Sequence, residues 1–390
     1  MNDSAQSTDQ SGSSIAYDLL ALLRCLECGG AIRVDHLSER PGYPELGPDG
    51  HLLCESCDES YPLIAGTVRM LPRPMRSRLK ADYPLARGAF VEKSAEVGSR
   101  ADDRSRDVKQ QTADSFAYEW QRFGDLREEW RKNFIDYMQP HTPESFAGRL
   151  LLDVGTGSGR HSFHASELGA RVVAVDIGRS IDVARANLPP EVLTVQADAE
   201  HLPFEQGAFD FVMSIGVLHH LPDPQRALER IAPLARPGGH VHIYLYWMPE
   251  HAWHARLLRL VGAARRVTVR LPHRLLHALC VPLAVVLALT IVLPYRLLRR
   301  IPRLQRLAAP FPLKTYADYP FGVLVNDQFD RFSAPLERRY TRAEVHTMLG
   351  GAGLSDVQVL ANHGWVGDGR ATASSSETAS AAGKASGIPD

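Results

Sequence analysis

Apolar residues in this chain come in short runs that end on acidic or small residues and alternate with stretches of helical period. Leu151 to Val154, Arg171 to Asp176, Val192 to Asp198, Phe209 to Ile215 and His240 to Trp247 each read as a buried strand. Between the last two, Asp223 and Pro224 suit a helix N-cap and first position. Leu228, Ile231 and Leu234 then share one helical face before Pro237-Gly238-Gly239 stops it. Further on, Thr341 and Glu344 make a capping box ahead of Val345, Met348 and Leu349. Gly350, Gly351 and Gly353 end that helix, and Val357 to Leu360 form a late strand. Upstream, Ser115-Phe116-Ala117-Tyr118-Glu119-Trp120 opens a helical segment that runs to Met138, its aromatics serving either as core or as a pocket wall. Strands alternating with helices predict an α/β fold with a doubly wound sheet.

The stretch Leu151 to Arg160 carries the clearest chemistry. Gly155, Gly157 and Gly159 stand at alternate positions after a strand and before a helix, where a backbone without Cβ atoms can pass close to a ligand. A dinucleotide site has the spacing G-x-G-x-x-G, with pyrophosphate on the helix N-terminus. Here the third glycine comes one residue early and Asp153 ends the strand. A carboxylate there repels phosphate and suits a cationic amino acid.

This D-x-G-x-G-x-G pattern resembles the first motif of the Rossmann-like (class I) S-adenosylmethionine-dependent methyltransferases, and the family's later stations follow in order over roughly residues 115 to 250. The resemblance implies that Asp176, ending the second strand, accepts the ribose hydroxyls, that Ile177 lies against the adenine face, and that Asp198 takes the adenine amino group. The cofactor set it implies is Asp153, Gly155, Thr156, Gly157, Gly159, Asp176, Ile177, Asp198, Ala199 and Ile215. His219 and His220 follow the fourth strand at the carboxyl edge of the sheet, where either is placed to act as a general base or simply to line the pocket. Tyr244 and Tyr246, alternating on the fifth strand, and Asp327 and Asp330 are further pocket candidates.

Cysteine usage adds a second site. Cys25-x-x-Cys28 and Cys54-x-x-Cys57 are separated by 25 residues, and paired knuckles of this kind suit tetrahedral structural zinc. A redox dithiol needs only one such pair in a βαβ setting, and disulfides fit poorly in a reducing compartment. Cys280 lies in an apolar stretch and reads as core. Leu20, Leu22 and Leu23 before the first knuckle, with Tyr61 to Leu71 after the second, make the module similar to the Trm112-like zinc ribbons. That resemblance implies a partner that stabilises or activates methyltransferases, fused here in cis and able to contact another protein.

Length and composition set the remaining boundaries. Residues 1–15 are expected to be disordered, 16–72 to form the ribbon, 73–112 an Arg-, Asp- and Ser-rich linker, 113–366 the methyltransferase-like domain with a helical insertion at 250–338, and 367–390 a disordered Ala/Ser/Gly tail. The first fifteen residues lack the apolar centre of a secretory signal, which favours the cytoplasm.

Net charge is only -1, but its distribution is uneven. From His251 to Ala317 there are twelve Lys or Arg and no Asp or Glu, so the rest of the chain carries -13. Within that basic segment Leu275 to Tyr295 has no charged residue, and 21 residues at 1.5 Å each give about 31 Å, enough to cross a hydrocarbon core. A single crossing would separate the strand after 240 from the helix after 341, two elements of one sheet. The better reading is a helical cap over the site. It either rests on an anionic membrane at the inner face or encloses a lipophilic or acidic substrate; a solvated basic face on a buried helix is the plainer alternative.

Together these features predict methyl transfer to a small, lipophilic molecule, with O-methylation favoured. Methylation of ribosomal RNA ranks second. A zinc ribbon joined to a methyltransferase occurs in such enzymes, but the residues between the arginines are Leu, Val and Ala rather than exposed aromatics. A protein methyltransferase or a non-catalytic scaffold ranks lower, since Asp153, Asp176 and Asp198 are all present.

Overall fold

The computed structural model describes residues 17–38, 48–57, 59–84, 86, 100–126, 128–249, 252–304, 306 and 313–372. The segments 1–15 and 373–390, both expected to be disordered, lie outside the described residues.

Eleven strands among these residues join in one sheet. They are β1 (Ile32–Ser38), β2 (Asp49–Cys54), β3 (Ser60–Ile64), β4 (Thr67–Arg69), β5 (Leu150–Val154), β6 (Arg171–Asp176), β7 (Leu193–Gln196), β8 (Phe209–Ile215), β9 (Ala235–Leu245), β10 (Leu354–Ala361) and β11 (Trp365–Ala371). Their order is β1-β2-β3-β4-β7-β6-β5-β8-β9-β11-β10. Strands β7, β6, β5, β8 and β9 are parallel, and β11 inserts antiparallel between β9 and β10. The chain therefore winds outward from β5 in both directions, and the crevice at the carboxyl ends of β5 and β8 is the switch point where ligands sit in such sheets. The predicted Rossmann-like α/β architecture is the one observed.

Helices cover both faces: α1 (Arg100–Phe123), α2 (Glu129–Tyr137), α3 (Arg160–Glu167), α4 (Ser180–Asn187), α5 (Pro224–Ile231), α6 (Ala252–Thr268), α7 (His273–Leu287), α8 (Leu293–Leu298), α9 (Phe321–Ser333) and α10 (Arg342–Gly351). Two helix starts form as the sequence demands. The Asp223 side chain accepts from the Arg226 backbone N–H, with Pro224 at the first position. Thr341 and Glu344 exchange both hydrogen bonds of a capping box.

Three boundaries differ from expectation. Residues 100–112, assigned to the linker, are the first half of α1. The face it turns to the cavity is Lys109, Thr112, Ala113, Phe116, Glu119 and Trp120, and within 100–112 that face holds only the polar Lys109 and Thr112, so no apolar period betrays this half. At the other end, order continues beyond 366. β11 reaches Ala371 because alternate residues of its Gly-rich run pair with β9 and bury Asp368. The insertion is helical, as predicted, but its long apolar helix does not roof the site. That part falls to residues 316–331, while α7 packs Leu276, Cys280 and Ala284 against α9 and its surroundings.

The cysteine module is continuous with the larger domain. β4 runs parallel to β7, Met70 N–H donates to the Gln196 carbonyl at 2.8 Å, and the Thr67 and Thr194 hydroxyls are 2.9 Å apart. Arg69 is fully buried at this seam, donating to Gln196, to the Ile64 carbonyl and, at 2.7 Å, to Asp182 on α4. Leu19, Leu23, Leu52 and Leu63 share a single apolar core with Val154, Val175, Leu193 and Phe204. A module too small to bury its own core borrows one from its neighbour.

All five tryptophans lie outside the module, so their fluorescence reports only the larger domain. Leu23→Ala, at a fully buried seam position, should lower stability by about 2–5 kcal/mol. It should shift the tryptophan-detected urea transition by that full amount. An unmoved tryptophan transition, with only thiol reactivity increased, would show two independent folding units instead.

Candidate functional site

The loop at the mouth of the crevice is shaped by glycines. Gly155 and Gly157 adopt left-handed φ values of 83° and 58°. A Cβ on Gly155 would lie 2.3 Å from a Val217 methyl, and one on Gly157 would lie 2.8 Å from Trp120 Nε1 of α1. Trp120 therefore closes over the loop. The Arg160 guanidinium stacks 5.3 Å from both Trp120 and Trp130, holding α1 and α2 across the loop's mouth.

A cavity of about 470 Å³ begins at this loop and extends under α9, a size typical of small-molecule sites, roughly 300–1,000 Å³. Of the residues picked out from sequence, Gly155, Thr156, Gly157, Asp176, Ile177, Asp198, Ala199, Ile215 and His220 line it together. So do Tyr244, Tyr246, Asp327 and Asp330.

Three others do not. Asp153 is 1% exposed, and its Oδ2 accepts from Ser162 Oγ at 2.7 Å, with Thr156 Oγ1 3.0 Å beyond. It braces the start of α3 from behind the loop instead of facing a cation. Burial pushes its carboxyl up to about 6, against the bonds from Ser162 and Thr156. Gly159 backs onto Leu188 and Ala184 and serves the close packing of α3 on α4. His219 is fully buried between His220 and Tyr246, at ring separations of 4.2 and 4.1 Å, with no partner on either nitrogen. Desolvation holds it neutral, well below the usual range, and it has no access to a substrate proton.

Asp176 accepts backbone N–H groups from Gly178 at 2.8 Å and Gly157 at 3.0 Å, so it ties the ends of β5 and β6 together. Burial raises its carboxyl to about 6 despite those bonds. Asp198 meets Lys109 Nζ at 2.8 Å and His201 Nδ1 at 2.9 Å, while Lys109 also reaches Glu200 at 2.9 Å. Lys109 was hidden in the supposed linker.

His220 donates Nδ1–H to the Leu336 carbonyl at 2.6 Å, which leaves Nε2 as the basic nitrogen of the neutral ring. Around it the cavity wall is acidic and aromatic. Phe116 meets His220 edge-on at 5.0 Å. Glu119 Oε1 accepts from Asn326, whereas its Oε2 and Asp330 Oδ1 have no protein partner, and Asp327 is bonded by the Tyr316 hydroxyl. Burial raises all three carboxyls, Glu119 well above the ordinary range, with Asp330's charge adding to the effect, and Asp327 to about 6. Glu119 had no signal in the sequence beyond its place among aromatics.

The four cysteines of the N-terminal module also converge. Sγ–Sγ separations are 3.6 Å for Cys25–Cys57, 3.5 Å for Cys28–Cys54 and 3.4 Å for Cys28–Cys57. Four sulfurs at about 2.3 Å from a tetrahedral ion would stand ~3.8 Å apart. Backbone N–H groups of Glu27 and Ser56 point at Cys25 and Cys54, and the Tyr61 hydroxyl lies 3.2 Å from Cys25 Sγ. The donor set and its support fit a metal-binding knuckle pair.

Lys109 yields a test. Asp198 is held below the usual carboxylate range, since bonds from His201 and Lys109 outweigh the upward push of burial. A group lowered on folding adds stability above its unfolded value, near 3.9, and loses it as pH falls through the folded value. Lys109→Met leaves Asp198 and Glu200 buried without the ammonium, so it should lower stability by about 3 kcal/mol at pH 7 and by clearly less at pH 4 in urea melts. Equal losses at both pH values would mean that the lysine acts only through packing.

Comparison with known proteins bears on the same segment. Residues 152–243 match the family described as "Methyltransferase domain". The chain is similar to the ubiquinone biosynthesis O-methyltransferase of Pectobacterium atrosepticum, 32% identical over 125 residues covering 31% of this chain and 51% of that protein. It is also similar to an uncharacterized methyltransferase of Mycobacterium tuberculosis, 33% identical over 130 residues covering 33% and 51%. The chain thus spans about half the length of these relatives. Among solved structures, one from the complex between the Haloferax volcanii Trm112 methyltransferase activator and a methyltransferase overlays with a TM-score of 0.38 at 16% identity, covering 67% of this chain and 98% of that one. The segment that matches a methyltransferase domain is therefore the one that holds the glycine loop and the switch point of the doubly wound sheet.

Proposed function

We propose that the protein transfers a methyl group from S-adenosylmethionine to a small, lipophilic acceptor, with a hydroxyl oxygen as the favoured nucleophile. The observation that carries this reading is the continuity of one cavity from the glycine loop to His220 and the aromatic, acidic wall beneath α9. S-adenosylmethionine, when bound, supplies a methyl carbon on a cationic sulfur. The residues fit it at two points: Asp176 retains lone pairs for the ribose hydroxyls and Arg160 offers a guanidinium for a carboxylate, whereas both oxygens of Asp198 are already taken by Lys109, His201 and the Glu200 N–H, so it would meet the adenine amino group only by giving up one of these bonds.

Methyl transfer is an in-line displacement governed by positioning. Tyr244, Tyr246 and Phe116 would hold an apolar acceptor, and Glu119 and Asp330, each with an oxygen lacking a protein partner, would meet its polar groups. His220 Nε2 would take the hydroxyl proton as the oxygen–carbon bond forms and the sulfur–methyl bond breaks to leave a neutral thioether, with the Asp330 carboxylate offsetting the charge of the resulting imidazolium. The four cysteines would hold structural zinc, the softest common fit to four thiolates.

We further propose a cytoplasmic protein that rests on the inner face of an anionic membrane. The helical stretch His273–Leu298 is long and apolar enough to cross a membrane, yet it lies along the domain and only 22% of its apolar window is buried. Leu275, Leu279, Val286, Leu289, Leu293 and Leu297 form an exposed stripe at helical spacing, 44–60% accessible, flanked by arginines and free of acids. Apolar insertion plus positive charge matches an anionic bilayer surface.

Incubation with methyl-labelled S-adenosylmethionine and a cell extract should send label into the organic-soluble fraction. Label in RNA or protein instead would overturn the acceptor class. Asp176→Ala should weaken cofactor binding in calorimetry by about 1.5–3 kcal/mol, typical for bonds to a charged group. Full-length protein should float with phosphatidylglycerol vesicles at low salt, and the double variant Leu279→Asp, Leu289→Asp should stay behind. Wild-type protein that ignores those vesicles would refute membrane docking.

A further inference from the structure

Farther down the sheet face that carries Tyr244 and Tyr246, three imidazoles converge on one carboxylate. His240 and His242 alternate with Val241 on β9, and Asp368 of β11 stands opposite His242 in the strand register. His141 enters from the turn after α2. Asp368 Oδ1 lies 2.8 Å from His141 Nε2 and 3.2 Å from His242 Nδ1, and Oδ2 lies 3.0 Å from His240 Nδ1. His242 is fully buried, and the side chains of Asp368 and His141 are 6% and 10% exposed.

The protons around His242 do not balance for a neutral ring beside an ionised carboxylate. Its Nε2 is 2.8 Å from the Tyr137 carbonyl, which can only accept, so Nε2 carries the hydrogen. That leaves the Nδ1 lone pair directed at a carboxylate oxygen. Either the ring holds a second proton, the carboxyl carries one, or a cation lies between the two groups. Ring N–H bonded to a backbone carbonyl, with the other nitrogen directed inward, is the usual arrangement of a metal-bound histidine. The donor atoms of His141, His242 and Asp368 all lie within 4.8 Å of one another, a span that bonds of about 2.0–2.2 Å to one ion can bridge.

We propose that His141, His242 and Asp368 form a second metal site, separate from the cysteines, that takes a divalent ion of the zinc type, with His240 orienting the carboxylate through its other oxygen. Two imidazoles and a carboxylate suit such an ion. The ion would join β9, β11 and the turn after α2. Tyr137, whose carbonyl fixes the His242 tautomer, also lines the cavity, so the site would hold one wall of the pocket in place.

Full-length protein loaded with zinc and dialysed should retain two equivalents. A thiol-specific mercurial should release one, from the cysteines, and leave one in place. His141→Gln, at the partly exposed turn, should retain only the mercurial-sensitive equivalent. Cobalt loading should show thiolate charge-transfer bands that the mercurial abolishes and weaker d–d bands that survive it. The mercurial step on wild-type protein stands alone if the variant misfolds, and the surviving equivalent is counted whether or not the cysteines hold zinc. The proposal fails if no metal survives the mercurial, or if nitrogen NMR of metal-loaded protein shows both His242 ring nitrogens protonated, the signature of an imidazolium ion pair.

Discussion

The cavity depends on a carboxylate that binds backbone rather than side chains. Asp176 accepts N–H groups from Gly157 on one loop and Gly178 on the next, so the ends of two adjacent strands share a single anchor. Because Gly157 can hold a left-handed φ, its N–H turns toward Asp176 while its α-carbon leaves room for Trp120. Helix α1 then reaches the loop, and the buried Lys109 on the same helix reaches Asp198 at the end of β7. Three strand ends and one covering helix are thereby held by a short chain of polar contacts shielded from water, where each is stronger than it would be at the surface.

The cavity combines two environments. At the strand ends, carboxylates are bonded to backbone N–H groups or an ammonium. Under α9, Glu119, Asp327 and Asp330 are packed near one another and against tyrosines, so each holds its proton more tightly than an exposed carboxyl does. The first environment suits a charged, polar ligand. The second suits a less polar one whose hydroxyls can hydrogen-bond to carboxyl oxygens that lack a protein partner.

Much of this could be read from the chain because backbone geometry leaves a plain trace in sequence. Glycines at alternate positions, acids closing strands and a capping box all say where the backbone must turn or stop, and those elements lie where expected. What could not be read was direction and distance. Asp153 turns behind its loop to meet Ser162, although nothing in its position separates that from facing a ligand. Lys109 is buried in the first half of α1, where the residues facing inward give no hydrophobic period, so 100–112 looked like a linker; Glu119 lay in the segment expected to be helical, but nothing marked it as facing a cavity. His141 and Asp368 are 227 residues apart, and the latter lay in a segment whose glycine and alanine content suggested disorder. Only the pairing of β11 with β9 brings them together.

The parallel seam between β4 and β7 has a further implication. β7 would otherwise be the outermost strand of the parallel sheet on that side, with a row of free N–H and C=O groups ready to pair with another chain. By occupying that row, the N-terminal module acts as a built-in edge protector. Its removal would therefore create a sticky, self-associating protein even if every residue around the cavity stayed in place.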